Sequence, residues 1–273
     1  MFIAHCSLSL MDKVIMNGEL CDVEDAKVSL LNKDMQLGLS VFETMLALDG
    51  KIDGFELHLN RLQRGLERLG IEIPYFDLLE ENVRDLLREN ELLEKRAKVR
   101  ITAMNQLCWI EAQEAAERSA VCSVVLSDFV LNERSAVAGI KCGSYAENFL
   151  ALNEAQQAGV DEVIFLNSIG EVAEAATANV FMVKDGVLMT PRLESGCLPG
   201  VTRALVIQRA KKADLVVRET AVQLEDLLEA DEVFLTNTQI GVQAVDRIGE
   251  LEFAAGFCPG DVTQKVKEIY LAK

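Results

Sequence analysis

Lys141 is the residue of this chain that first suggests covalent chemistry. Ala136-Val137-Ala138-Gly139-Ile140 precede it, Cys142-Gly143 follow, and no acidic residue lies within five positions. A single lysine is ordinarily a solvated charge. In an apolar setting, however, desolvation disfavours the ammonium, and the neutral amine attacks carbonyl carbon. Glu174 lies among small residues in Gly170-Glu171-Val172-Ala173-Glu174-Ala175-Ala176-Thr177-Ala178-Asn179. Such a carboxylate can approach a flat ring and keep a pyridine nitrogen protonated, or it can be an exposed loop acid. Leu198-Pro199-Gly200-Val201-Thr202-Arg203 opens a helix, and the free N–H groups and dipole of a helix start favour an anion such as phosphate. Every helix start shares that property. Thr236-Asn237-Thr238 puts hydroxyls and an amide after the apolar residues 233–235, a position that either binds phosphate or turns the chain.

The elements that must position these groups can be read from periodicity. Residues 13–17 form a strand that Asn17-Gly18 folds into a hairpin, and residues 41–47 form another, ended by Asp49-Gly50. The period then changes: Phe55, Leu59, Leu62, Leu66 and Leu69 make one apolar helical stripe. His58 and Arg61, three apart, share a neighbouring face of that helix. Beyond Pro74, the spacing of Leu78, Leu79, Val83, Leu86 and Leu87 predicts a second amphipathic helix, and residues 98–103 and 120–126 are strand-like. The small, polar stretch 132–139 is the candidate crossing between domains. After it come a helix over 144–159, a strand over 161–166, and a hairpin of 180–184 with 187–190 around Asp185-Gly186. A helix over 202–213 and a buried strand over 231–236 complete the set. This mixture predicts an α+β fold of two domains.

Composition narrows the classes. Half of the 273 residues are hydrophobic, ample for two cores, while no apolar run approaches the roughly 20 residues that span a bilayer. The N-terminus has no basic segment leading into an apolar one, so a cytoplasmic protein is expected. The seven cysteines, Cys6, Cys21, Cys108, Cys122, Cys142, Cys197 and Cys258, form no Cys-x-x-Cys pair, which suits reduced thiols. The two histidines, His5 and His58, have no zinc-like spacing, and no metal is expected. A formal charge of −17 repels a phosphate backbone, which argues against a nucleic-acid partner.

Taken together and in order, these segments resemble the class IV aminotransferases, the fold-type IV enzymes of pyridoxal 5′-phosphate (PLP). That family includes branched-chain aminotransferases, D-amino acid aminotransferases and 4-amino-4-deoxychorismate lyases. The matching pieces are Val41-Phe42-Glu43-Thr44, His58-Leu59-Asn60-Arg61-Leu62, Lys141 with Tyr145 and Asn148, and Gly170-Glu171-Val172-Ala173-Glu174. They continue through Asn179-Val180-Phe181, Thr190-Pro191, 198–203, Asp231-Glu232-Val233-Phe234 and 236–238. The resemblance implies that Lys141 is the Schiff-base lysine and mover of the α-proton, and that Glu174 partners the pyridine nitrogen. It implies a phosphate cup of Arg61, the backbone of Val201 and Thr202, and Thr238, with Tyr145 at the ring hydroxyl. It also implies a D-amino acid aminotransferase-like fold: a smaller N-terminal α/β domain, residues 1–131, a linker, 132–139, and a larger PLP-binding domain, 140–273. In that family the cofactor lies at the junction of the two domains and the usual unit is a homodimer, which the resemblance leads one to expect here.

Some positions depart from the family pattern. Gly38-Leu39-Ser40 stands where many relatives have Gly-Asp-Gly, Ala244 where proline is common, and 98–105 lacks a glycine-rich continuation. These departures bear on the substrate side, for which Phe42, Arg100 and Asn237 are the candidates. Two reactions compete. The lyase reading, conversion of aminodeoxychorismate to 4-aminobenzoate and pyruvate for folate synthesis, is favoured here by the modest length and by a Thr-Asn-Thr turn like the lyases' Thr-Asn-Ser. The alternative is an aminotransferase of branched-chain or D-amino acids, in which Arg100 holds a substrate carboxylate. A non-catalytic binding protein on the same fold is a third reading, disfavoured because packing alone does not require Lys141, Glu174 and Arg61.

Overall fold

The computed structural model describes residues 12–252 and 258–272, which fall into two compact units, 12–117 with 140–144, and 118–139 with 145–252 and 258–272. His5 and Cys6 lie outside the described residues.

The first unit contains β1 (Lys13–Met16), β2 (Glu19–Asp22), α1 (Lys33–Leu37), β3 (Val41–Leu48), β4 (Lys51–Ile52), α2 (Phe55–Leu69), α3 (Leu79–Glu89), β5 (Arg96–Met104) and β6 (Leu107–Glu114). Its sheet runs β2-β1-β6-β5-β3-β4, every pairing antiparallel. Both expected turns appear, with Asn17 and Gly18 at φ 51° and 86° and Asp49 and Gly50 at 49° and 70°, the left-handed pair that a two-residue hairpin requires. The apolar stripes of α2 and α3 cover one sheet face: Leu62, Leu66, Val83, Leu86 and Leu87 pack with Met45, Ala47, Val99, Ile101, Ile110 and Ala112. A Cβ on Gly65 would lie 2.9 Å from Val41 Cγ1, so glycine is what lets α2 approach β3 so closely.

The second unit contains β7 (Val121–Leu131), α4 (Ala146–Gln157), β8 (Glu162–Asn167), β9 (Val172–Ala175), β10 (Asn179–Lys184), β11 (Val187–Pro191) and α5 (Val201–Lys212). It continues with β12 (Val217–Thr220), α6 (Leu224–Leu228), β13 (Glu232–Asn237), β14 (Gly241–Ile248), β15 (Leu251–Glu252) and α7 (Asp261–Leu271). The sheet order is β12-β11-β10-β13-β14-β7-β8-β9, with β15 on β14. Its central strands β10 and β13 are buried on both faces. Val180, Met182, Val233 and Leu235 join one core with Leu227 of α6, while Phe181, Val183 and Phe234 join another with Val206 and Ile207 of α5 and Val266 of α7. Burial on both faces explains why 180–183 is an unbroken apolar run rather than an alternating one.

The units divide the chain differently from the expected breaks at 131/132 and 139/140. β7, expected in the first domain, pairs in parallel with β14 and β8 and so belongs to the second sheet. Parallel partners are distant in sequence, and nothing local in 120–126 announces them. Residues 132–139 also group with the second unit, whereas 140–144, with Lys141, group with the first.

Candidate active site

In the first unit, residues 140–144 lie along the start of β3. The Phe42 N–H donates to the Lys141 carbonyl at 2.9 Å, the Gly143 N–H donates to the Ser40 carbonyl at 2.8 Å, and Val41 and Cys142 form an antiparallel bridge. A Cβ at Gly143 would fall 2.1 Å from Ser40 Oγ and force that buried hydroxyl to move. The Lys141 backbone is thereby fixed. Its half-buried side chain puts Nζ 4.5 Å from the centroid of the Phe42 ring, and Arg100 Cζ lies 3.8 Å from the same centroid. The register explains the meeting. Thr44 pairs Arg100 and Phe42 pairs Thr102, so Phe42 and Arg100 are diagonal neighbours on one sheet face. Arg100 Nε also donates to Thr102 Oγ1 at 3.2 Å.

Glu43 faces the opposite side, beneath α2. It is fully buried, and three bonds of 2.7 Å hold it: Arg61 Nε to Oε1, Arg61 Nη2 to Oε2, and His58 Nδ1 to Oε2. Burial alone would raise this carboxyl, but the charge and hydrogen bonds of Arg61, then His58, outweigh it and hold Glu43 down to about 2. His58 and Arg61 share a helix face as expected, and what they share it for is Glu43.

In the second unit, Glu174 sits on β9 between the buried Ala173 and Ala175, and its Oε2 accepts the Leu198 N–H at 2.8 Å. That bond ties the carboxylate to the turn preceding α5. Gly200 caps α5 without a side-chain bond, and no acidic residue stands in the first turn; the N-terminal donors of Val201 and Thr202 thus keep their preference for an anion. A Cβ at Gly200 would meet Asn179 Oδ1 at 1.9 Å. Asn179 in turn pairs Thr236 across β10 and β13 and donates from Nδ2 to the Leu198 carbonyl at 2.8 Å. Through Asn179 the start of α5 and the turn bearing Thr238 are drawn to one end of the sheet. Beside them Thr236 Oγ1 is buried with no hydrogen-bond partner among the described residues.

Tyr145 and Asn148, at the start of α4, donate to the Ala176 carbonyl at 2.7 and 3.0 Å. Asn237 Nδ2 donates to the Thr177 carbonyl at 3.1 Å, and the Thr177 hydroxyl donates to the buried Glu162, whose carboxyl is pushed up by that burial. The turn after Glu174 is therefore held from three sides. Asn237 Oδ1 also accepts the N–H groups of Gln239 and Ile240 at 2.8 and 2.9 Å. This expected substrate residue is thus engaged at both ends in shaping the turn. Cys197, next to the Glu174 contact, offers no rival nucleophile: burial, then the Glu174 charge, push its thiol up to about 12.

Residues 40–248 match the amino-transferase class IV family model. The branched-chain-amino-acid aminotransferase of Escherichia coli K12 is 29% identical over 285 residues, covering 95% of this chain and 92% of that protein. The D-alanine aminotransferase of Listeria monocytogenes (strain 10403S) is 29% identical over 277 residues, 95% of each. Among solved structures, the branched-chain aminotransferase of Thermoproteus uzoniensis, crystallised with norvaline, superposes with a TM-score of 0.88 at 29% identity, over 94% of this chain and 93% of that one. With sequence and fold matched over nearly its whole length, the chain belongs to the class IV aminotransferases and is an enzyme that uses PLP.

Proposed function

We propose that this enzyme transfers the amino group of branched-chain amino acids. The observation that carries the reading is the Phe42 ring, with the Lys141 amine and the Arg100 guanidinium both close to it. An aromatic surface beside the amine suits an aliphatic substrate side chain. The guanidinium suits the second carboxylate of a dicarboxylic partner, bound bidentately when that substrate takes its turn.

The residues present fit PLP. Lys141 Nζ is the amine that carries it and moves the proton at the substrate α-carbon. Glu174, held by the Leu198 N–H, presents a carboxylate to the ring nitrogen, and Tyr145 stands for the ring hydroxyl. Val201, Thr202, Thr238 and Arg61 receive the phosphate. When bound, PLP withdraws electron density from the α-carbon and stores the amino group between the two half-reactions. A homodimer is the assembly we propose; Leu30 and Leu31 of the first unit, 78% and 82% exposed, are apolar surface that a second copy would cover. The six described cysteines are free thiols, in keeping with a cytoplasmic setting.

The arguments for the lyase weaken. The aminotransferases named above align with more than nine-tenths of this chain, and Asn237 is used by its own turn. Mixing the enzyme with leucine, isoleucine, valine, glutamate, D-alanine and aminodeoxychorismate in single turnovers tests the reading. Branched-chain amino acids and glutamate should yield their keto acids with conversion of the cofactor to its amino form. Turnover of D-alanine alone would assign the other chirality, and faster release of 4-aminobenzoate and pyruvate would restore the lyase.

A further inference from the structure

We infer that Glu43 is a positioning residue for Arg61, fixing the plane in which the guanidinium meets the cofactor phosphate, with His58 bracing the carboxylate. The inference rests on the proposed role of Arg61.

Glu43 occupies a core position. Along β3 its neighbours on the same face are Val41 and Met45, both buried, and a Cβ on Gly65 of α2 would lie 2.9 Å from Val41 Cγ1. An apolar residue would fill this place at less cost, because burying an ion pair seldom stabilises a fold better than well-packed hydrophobic groups do. Packing therefore gives no reason for the charge.

Orientation does. An arginine side chain is long and rotatable, while its fork is planar and directional. Glu43 takes the Nε and Nη2 edge with both of its oxygens at 2.7 Å, and two parallel bonds on one edge leave the guanidinium plane a single orientation. An ionised carboxylate only accepts, so His58 Nδ1 carries the proton of its 2.7 Å bond to Oε2. This third bond keeps Glu43 from rotating with its partner. Three residues from β3 and α2 thus behave as one rigid group, and its outer member, Arg61, keeps a side chain that is 10% exposed.

A competing effect has the opposite sign. The Glu43 charge offsets part of the Arg61 charge, so a purely electrostatic role predicts tighter phosphate binding once Glu43 is neutralised. Positioning predicts weaker binding, since a glutamine amide can accept from only one of the two Arg61 donors and turns its own NH2 toward the other.

The test uses the full chain, stripped of cofactor and titrated with PLP and with pyridoxal, which has the same ring and aldehyde but no phosphate. The ratio of the two affinities reads the phosphate contact alone, and a merely structural role for Glu43 would leave it unmoved. Arg61→Ala should lower the ratio tenfold or more, on the order expected for a charge-assisted hydrogen bond. Glu43→Gln should lower it about tenfold with pyridoxal affinity unchanged, and the double variant should match Arg61→Ala alone. A ratio that holds or rises in Glu43→Gln while Arg61→Ala lowers it overturns the inference and leaves the role of Arg61 standing. An unchanged ratio in Arg61→Ala removes both. Should Glu43→Gln not fold, Arg61→Lys decides, because it keeps the charge and loses the fork; a fall of about tenfold supports positioning, and an unchanged ratio overturns it.

Discussion

A lysine beside an aromatic ring is held by its methylenes as well as its charge, so the amine at Lys141 is placed before any partner arrives. Lys141→Ala should therefore remove covalent cofactor attachment altogether. Borohydride reduction followed by peptide mass analysis should find the phosphopyridoxyl group on the Lys141 peptide of the wild type and on no peptide of the variant. Label retained at another lysine would move the assignment. Lys141 was visible in the sequence because its neighbours are small and apolar over several positions. Glu43 was visible only as a letter in a family motif. Its meaning depends on Arg61, 18 residues farther on and one helix away, and no local pattern distinguishes a buried paired glutamate from a solvated one.

Among the elements, glycines set the tolerances. Gly200→Ala would place a methyl group 1.9 Å from Asn179 Oδ1, and Asn179 cannot retreat because it is buried, pairs Thr236 and bonds the Leu198 carbonyl. We expect a stability loss of about 1–3 kcal/mol, typical of overpacking, together with weaker PLP binding as the first turn of α5 shifts. Denaturant melts and PLP titration check both, and wild-type values in each would mean that this turn opens freely. The elements with strong periodicity or a paired turn signal, α2, α3 and the hairpin β10–β11, were legible from residue spacing alone. β6 was not, since its buried face is Cys108, Ile110 and Ala112, small residues that blur the alternation. β12 and β15 were missed because strands of four and two residues are shorter than any reliable period.

For the whole molecule, acid is the informative stress. At neutral pH the chain carries a formal charge of −17, so mild acidification relieves self-repulsion. Glu43 works against that relief. Its folded pKa, about 2, lies below the ordinary value of 4.5, so its contribution is fully present above pH 4.5 and is lost as pH falls toward 2. The shift corresponds to roughly 3 kcal/mol. Melts from pH 6 to 2.5 should show a steeper acid limb in the wild type than in Glu43→Gln, and superposable limbs would mean that the carboxyl titrates normally. The fold class and family were within reach of the sequence. The route of the chain was not, since residues 118–139 enter the second unit, 140–144 return to the first and 145 onward leave again. That route has a consequence for synthesis on the ribosome. β7 emerges before either of its parallel partners, and the farther one, β14, begins at Gly241, more than a hundred residues later. Until then β7 has only β8 to pair with, and the short loop carrying Lys141 is made between the two. The loop carrying the amine can therefore settle on β3, which is already made, before β14 arrives to complete the sheet of the second unit.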